Sequence, residues 1–437
     1  MSSAKQALGN IFTGIILQPI AILTSILVAR TLGPEGKGVY TFLMVLSTTL
    51  MPILLFGIDA GFYQSVSSGS FKAKDNFVSI LLVGLFHGLI TGLIIFGAWY
   101  LNLLGETVKK VPEIYFICFL FTIPMSTIFH LTNRTLMSDC KFRIVNISNI
   151  IRTLLTVASL VFFVIIMKLD VDGAIFSILF INGVYSLLFV TYAFKVILNS
   201  PLKFNKTFIK SSYQYGFKAW FGNIASIAND KFDQLILGLF SSASQLGIYS
   251  VGYNYSKLLN KPIDGMFKVL YNRTAVNQDQ DKAQGLVEQI HRVLVIIVAP
   301  IALGLMLFSK TFIKLMYGNE FLDAIGPTYV LIPGMFMFLI TRRIIQLFLM
   351  ARGFPSKSSI VQIVGALAGA ILYCILIPKF DIMGAAWGTT IAFIISTIVA
   401  FYFYRKIVGN RKTALFSLHK NDLGWIYNKL RNIVAKK

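Results

Sequence analysis

The chain has 437 residues, of which 56% are hydrophobic and 13% charged, with a mean hydropathy of +0.73 and a formal net charge of +22. Soluble domains carry about 25% charged residues, so this composition excludes a globular enzyme with a single anchor and describes a polytopic membrane protein. Its basic residues are spread through short loops, which reads as positive charge on one side of a membrane and not as a nucleic-acid surface.

In chain order, about twelve segments are long and apolar enough to cross a bilayer: 9–30, 39–62, 77–103, 112–133, 145–167, 173–195, 215–239, 246–270, 289–309, 325–349, 357–378 and 383–404. The first two are joined by the turn Arg30-Thr-Leu-Gly33-Pro-Glu-Gly-Lys-Gly38-Val-Tyr40, and the second ends near Asp59 in Gly57-Ile-Asp59-Ala-Gly61. Span five places Asn149, Arg152 and Thr156 at helical spacing. Span seven carries Asn223, Ser226, Asp230 and Asp233 on one face, with Lys231 to the side.

Span eight holds the most informative pattern. Tyr253, Lys257, Lys261, Asp264 and Lys268 follow at spacings of three and four, which puts them on one helical face. A lysine at mid-bilayer costs about 2.5–3.5 kcal/mol, whereas each Leu, Ile, Val or Phe returns about 0.3–0.6 kcal/mol. Such a helix is tolerable where its charged face lines a polar interior, which points to a pathway for an anion. Span nine begins near His291 and Arg292, and span ten ends with Arg342 and Arg343. In the tail, Leu423, Ile426, Tyr427, Leu430, Ile433 and Val434 form an apolar face flanked by lysine and arginine, the pattern of a helix lying on the cytoplasmic leaflet.

Lysine and arginine alternate in density from loop to loop: roughly 28 fall in the set containing both termini and roughly 8 in the other set, which predicts that both termini are cytoplasmic. Two features recur about 210 residues apart. Gly38-x-Tyr40 is matched by Gly247-x-Tyr249, and Asp170-Val-Asp-Gly173-Ala by Asp381-Ile-Met-Gly384-Ala. An even number of spans separates the copies, so the halves share one orientation. The expected fold is an all-α polytopic membrane protein of two six-helix lobes, related by a pseudo-twofold axis along the membrane normal. The lobes are residues 1–198 and 199–410, followed by a basic amphipathic tail, 411–437.

Arg30 to Tyr40, Gly57-Ile-Asp59-Ala-Gly61, Leu246-Gly-Ile-Tyr249 and Ile377-Pro-Lys-Phe-Asp381-Ile-Met-Gly384-Ala-Ala386 together resemble the polysaccharide flippases of the MOP superfamily, the Wzx-type relatives of MATE exporters. The resemblance runs over nearly the whole chain. It implies a MATE-like fold and export of polyprenyl-diphosphate-linked oligosaccharide units, for a surface polymer such as O-antigen or capsule. It implies the cytoplasmic membrane of a bacterium as the location, and a polysaccharide polymerase among the assembly partners.

For such a guest, Arg152, Lys231, Lys257, Lys261, Arg292, Arg342 and Arg343 are the expected substrate contacts, since guanidinium matches phosphate in two parallel hydrogen bonds and lysine acts as a point charge. Asp59, Asp230 and Asp233 are the candidates for H⁺ or Na⁺ coupling, although each also fits a plain ion-pair role. No cofactor is expected. Gly36-Lys37 lacks P-loop spacing. Asp170-Val-Asp172 lies in a tight loop with no nucleotide-binding domain beside it, and His87, His130 and His291 have no HExxH or carboxylate-spaced partner. Cys118, Cys140 and Cys374 have no metal-like spacing. The competing readings are a MATE-like antiporter of small organic molecules, which should favour carboxylates over the cations seen here, and a polymerase or ligase, which would need a long catalytic outer loop that is missing.

Overall fold

The computed structural model describes residues 3–201, 203–260, 280–409 and 415, and among them there are helices and connections but no strand. The chain forms α1 (Ser3–Leu54), α2 (Ile58–Ser67), α3 (Ala73–Tyr100), α4 (Gly105–Lys109), α5 (Glu113–Ser138) and α6 (Phe142–Leu160). There follow α7 (Asp170–Leu179), α8 (Ser186–Tyr192), α9 (Lys206–Phe240) and α10 (Ala243–Ser256), then α11 (Gln280–Tyr317), α12 (Ile325–Met337), α13 (Arg343–Ala351) and α14 (Pro355–Val408). Residues 261–279 and 416–437 fall outside the described set, and with them Lys261 and the amphipathic tail.

Eight helical segments among the described residues are long and apolar enough to cross a membrane. Two of these contain a bend: α1 at Gly33, with φ 65°, and α14 at Asp381, with φ 45°. Each bend separates two spans. With α9 added, whose polar side chains lower its mean hydropathy, and α10, whose 14 described residues run on into the 3-10 turn Lys257–Asn260, the expected count of about twelve is reached.

The molecule divides into two compact units. One is Met1–Ser250 with Met316–Phe321, and the other is Val251–Leu315 with Leu322–Lys437. In the first unit, Arg30 Nε donates to the carbonyl of Met316 at 2.8 Å, which holds the end of α11 against α1.

The repeated turns are built alike. A Cβ on Gly38 would lie 1.7 Å from the carbonyl oxygen of Ala243, and a Cβ on Gly247 would lie 2.0 Å from that of Pro34. Ala243 stands four residues before Gly247, as Pro34 does before Gly38. The two Gly-x-Tyr turns therefore pack on each other reciprocally, as a twofold axis requires. Asp170 and Asp381, which open the other repeated turn, both take left-handed backbone, with φ 44° and 45°. Each is followed by a glycine pressed onto the helix before it.

One departure from the sequence reading bears on function. The second span is not continuous through residue 62. It breaks at Phe56 and Gly57, both left-handed with φ 48° and 75°, and resumes as α2. Helix ends leave carbonyls without partners. Here the Ile53 carbonyl accepts Trp220 Nε1–H at 2.7 Å and the Leu54 carbonyl pairs with His87 Nδ1 at 2.7 Å. α2 then lies against α9 through small residues: Gly57 and Gly216 approach each other's backbone, Gly61 meets the Ser212 carbonyl, and Ser65 Oγ is 3.0 Å from Ser212 Oγ. Asp59 thus stands in the first turn of a new helix and not at the end of an old one.

Candidate functional site: a cationic cavity in the first unit

Three helices of the first unit each give one stripe to a cavity of about 340 Å³. The second half of α1 contributes Met44, Ser47, Thr48 and Met51. α5 contributes Ser126, Phe129, His130, Asn133, Arg134 and Met137, and α6 contributes Val145, Asn149 and Arg152. All three sets step by three or four residues, the signature of a single helical face. Asn182, from a π-type turn (Phe180–Tyr185) after α7, completes the wall.

Arg152 is the best-positioned cation. One guanidinium nitrogen donates to Asn182 Oδ1 at 2.8 Å, and the guanidinium carbon sits 4.5 Å from the centroid of the Phe129 ring. Stacking fixes the plane of the group, and this one hydrogen bond uses one of its five donors.

On α5, His130 Nε2 and Arg134 come within 3.6 and 3.7 Å of Asp59 Oδ2. The side-chain atoms His130 Nε2 and Asn133 Oδ1 are buried and make no hydrogen bond. Buried polar atoms normally have hydrogen-bond partners, and both residues line the cavity.

The other residues expected from the sequence are placed as follows. On α9, outside the cavity wall, Asp230 is exposed, Lys231 half-buried and Asp233 buried. Asp233 accepts the Gln234 N–H at 2.8 Å and the Tyr249 hydroxyl at 2.7 Å, which ties α9 to the second Gly-x-Tyr turn. In the second unit, α10 ends at Ser256 and the backbone tightens to a 3-10 turn over Lys257–Asn260. Lys257 keeps its one-turn relation to Tyr253, with Nζ 4.5 Å from the ring centroid. Arg292 and Arg342 are buried, Arg343 is half-buried, and Arg342 lies over the Phe338 ring at 4.8 Å.

Beside them runs a buried polar cluster. Glu288 Oε1 accepts from Gln284 at 2.8 Å and from the Tyr404 hydroxyl at 2.9 Å. His291 lies 2.9 Å from the Leu415 carbonyl through Nδ1 and 3.2 Å from Thr341 Oγ1 through Nε2.

Sequence reading missed His130, Asn133, Arg134 and Asn182 as site residues. Arg134 was counted with a cytoplasmic loop, yet α5 continues to Ser138 and holds it on a helix. The spacing of three and four in His130-Leu-Thr-Asn133-Arg134 carries the signal. The partner of His130 is Asp59, distant in sequence, so no local spacing could reveal it. No cluster of three metal-binding side chains occurs among the described residues.

A family model described as "Polysaccharide biosynthesis protein" matches residues 27–326. The chain spans less than half the length of the first curated relatives it matches. One is the "Probable low-salt glycan biosynthesis flippase Agl15" of Haloferax volcanii, 22% identical over 44% of this chain and 40% of that protein. A "Putative O-antigen transporter" of Shigella flexneri is 22% identical over 93% of this chain and 99% of that protein. Among solved structures, the lipid II flippase MurJ in an inward closed conformation gives a TM-score of 0.75 at 16% identity, covering 92% of this chain and 88% of that one. An inward-facing multidrug resistance MATE transporter of the MOP superfamily gives 0.71 at 16% identity, over 90% and 94%. The two solved structures share the fold with this chain.

Proposed function

The chain belongs to the polysaccharide biosynthesis protein family, and on that premise we propose that it is a flippase that carries polyprenyl-diphosphate-linked oligosaccharide units from the cytoplasmic to the outer leaflet by alternating access. The observation that carries this reading is the cavity of the first unit, where Arg152 is held flat by Phe129 and Asn182 while His130 faces Asp59 and Asn133 Oδ1 makes no hydrogen bond. A diphosphate suits the cations, because a guanidinium donates to phosphate oxygens in pairs. A sugar hydroxyl suits the unpaired amide oxygen. The volume fits a head group with its first sugar, and the polyprenyl chain would remain in lipid.

Lys257, Lys261, Arg292, Arg342 and Arg343, with Lys231, are proposed contacts of the same anionic guest along its route. Asp59, Asp230 and Asp233 remain proposed coupling groups for H⁺ or Na⁺. The proposed setting is a bacterial cytoplasmic membrane with both termini inside and a polymerase downstream.

Reconstitution into liposomes with a fluorescent polyprenyl-diphosphate oligosaccharide tests the proposal. Exposure of the probe to the opposite leaflet should depend on the protein and fall about tenfold or more in Arg152→Ala, the cost of one charge-assisted contact. Absence of exposure, together with gradient-driven uptake of a small organic cation, would replace this reading with a MATE-like antiporter.

A further inference from the structure

The Asp59 carboxylate is buried, 6% exposed, and lies behind the cavity wall in the first turn of α2. The two side chains that approach it, His130 and Arg134, line the cavity from α5. Exposed ion pairs elsewhere in the unit close to hydrogen-bonding length: 2.8 Å for Lys109–Glu106 and 2.9 Å for Lys110–Glu35. Around the buried Asp59 carboxylate the contacts stop at 3.6 Å to His130 and 3.7 Å to Arg134, outside hydrogen-bonding length. Asp59 is therefore close enough to attract both side chains but not to saturate their donors. Arg134 is also partly exposed and already lines the cavity.

We infer that Asp59 is an internal counter-anion of the cavity: it holds His130 and Arg134 while the cavity is empty and yields them to the diphosphate of an entering guest. This inference rests on the cavity being an anion site. Its physical logic is competition. A ring of cations with no resident anion would be costly to bury and would hold a diphosphate too long to release it. A carboxylate close behind the ring offsets the first problem, and by repelling the guest it eases the second. Because Asp59 follows the break at Phe56–Gly57, its displacement acts on α2, which is seated on α9 through Gly57, Gly61 and Ser65. Occupancy of the cavity is thereby linked to the position of a helix.

Binding of inorganic pyrophosphate and of farnesyl diphosphate to the purified full-length protein, measured by calorimetry, tests the inference. Asp59→Asn should bind both probes about tenfold more tightly than the wild type, the effect of removing one competing charge, and Asp59→Glu should return near wild-type affinity. Asp59→Asn should also flip the lipid-linked probe more slowly. Unchanged or weaker binding by a folded Asp59→Asn protein overturns the inference.

A measurement on the wild type stands in where the variant does not fold. Modification of Asp59 by a hydrophobic carbodiimide, read by mass spectrometry, should rise several-fold when pyrophosphate is added, and an unchanged or lower yield overturns the proposal. Arg152→Ala separates the two levels of the argument. If it leaves pyrophosphate binding intact, the anion-site reading fails and this inference with it. If it weakens binding while Asp59→Asn changes nothing, only the role of Asp59 is lost.

Discussion

The cavity of the first unit leaves Asn133 Oδ1 without a hydrogen bond and His130 at ion-pair distance from Asp59, whereas the Glu288 and His291 cluster of the second unit holds its side chains in closed hydrogen bonds. Around the cavity, Arg152 uses one donor on Asn182, His130 Nε2 reaches only to 3.6 Å from Asp59, and Asn133 Oδ1 accepts no hydrogen bond. In the second unit, Glu288 receives hydrogen bonds from Gln284 and Tyr404, and His291 is held between the Leu415 carbonyl and Thr341. Both arrangements place polar groups in an apolar helix bundle, where an unpaired group is costly. The difference teaches how to read them. Groups that satisfy each other hold helices together, and the proposed function assigns the groups beside the cavity to a guest.

Substitutions can break or sharpen this contrast. The largest effect is expected at Gly38→Val, because even its Cβ would fall 1.7 Å from the Ala243 carbonyl, and backbone cannot give way there. The half of α1 that walls the cavity should lose its seat, at a cost of about 4 kcal/mol or more. Little monodisperse protein should survive size-exclusion chromatography. Normal yield would mean that the reciprocal packing of the turns does not shape the cavity.

Next in size is Arg152→Ala. Flipping should fall tenfold or more with the melting temperature nearly unchanged, and Arg152→Lys should recover only part, since lysine cannot reproduce the stacked, two-pronged geometry. A collapse in stability with residual transport would move Arg152 into the structural class.

Glu288→Ala should show the reverse profile. It leaves Gln284 and Tyr404 without their acceptor, a loss of about 1–3 kcal/mol of stability, while transport persists below the new melting temperature. Loss of transport in a protein of wild-type stability would make the second cluster a functional site and erase the contrast.

The smallest effect is expected at Tyr404→Phe. It removes one neutral donor to Glu288 and keeps the ring packed on Phe348, so about 0.5–1.5 kcal/mol should be lost and flipping should be unaffected. Thermal melts in one detergent would resolve this from Glu288→Ala.

Much of the architecture was legible because its causes are local. Runs of apolar residues must cross the bilayer as helices, since backbone groups in lipid have no other partners. The recurring Gly-x-Tyr and Asp-x-x-Gly turns announced a duplicated half. Glycine is needed at Gly38 and Gly247 because backbone oxygens occupy the space of a side chain. Arg152 and Asn149 were visible as a helical stripe on one span.

The rest was not legible, for one shared reason. His130 looked isolated because its carboxylate lies on α2, and Arg134 looked like loop charge because the end of α5 was set too early. The lysine stripe of span eight was read as one continuous helix, whereas α10 tightens into a 3-10 turn at Lys257.

By itself, then, the sequence determined that this chain is a helical membrane protein of about twelve spans with cations within its spans. Each of these follows from hydropathy, charge count or short-range periodicity. Only the tertiary structure decided which cations share a cavity and which buried carboxylate stands beside them. Helix packing brings together residues as distant in sequence as Asp59, His130, Arg152 and Asn182, and no periodicity within one helix records its neighbours.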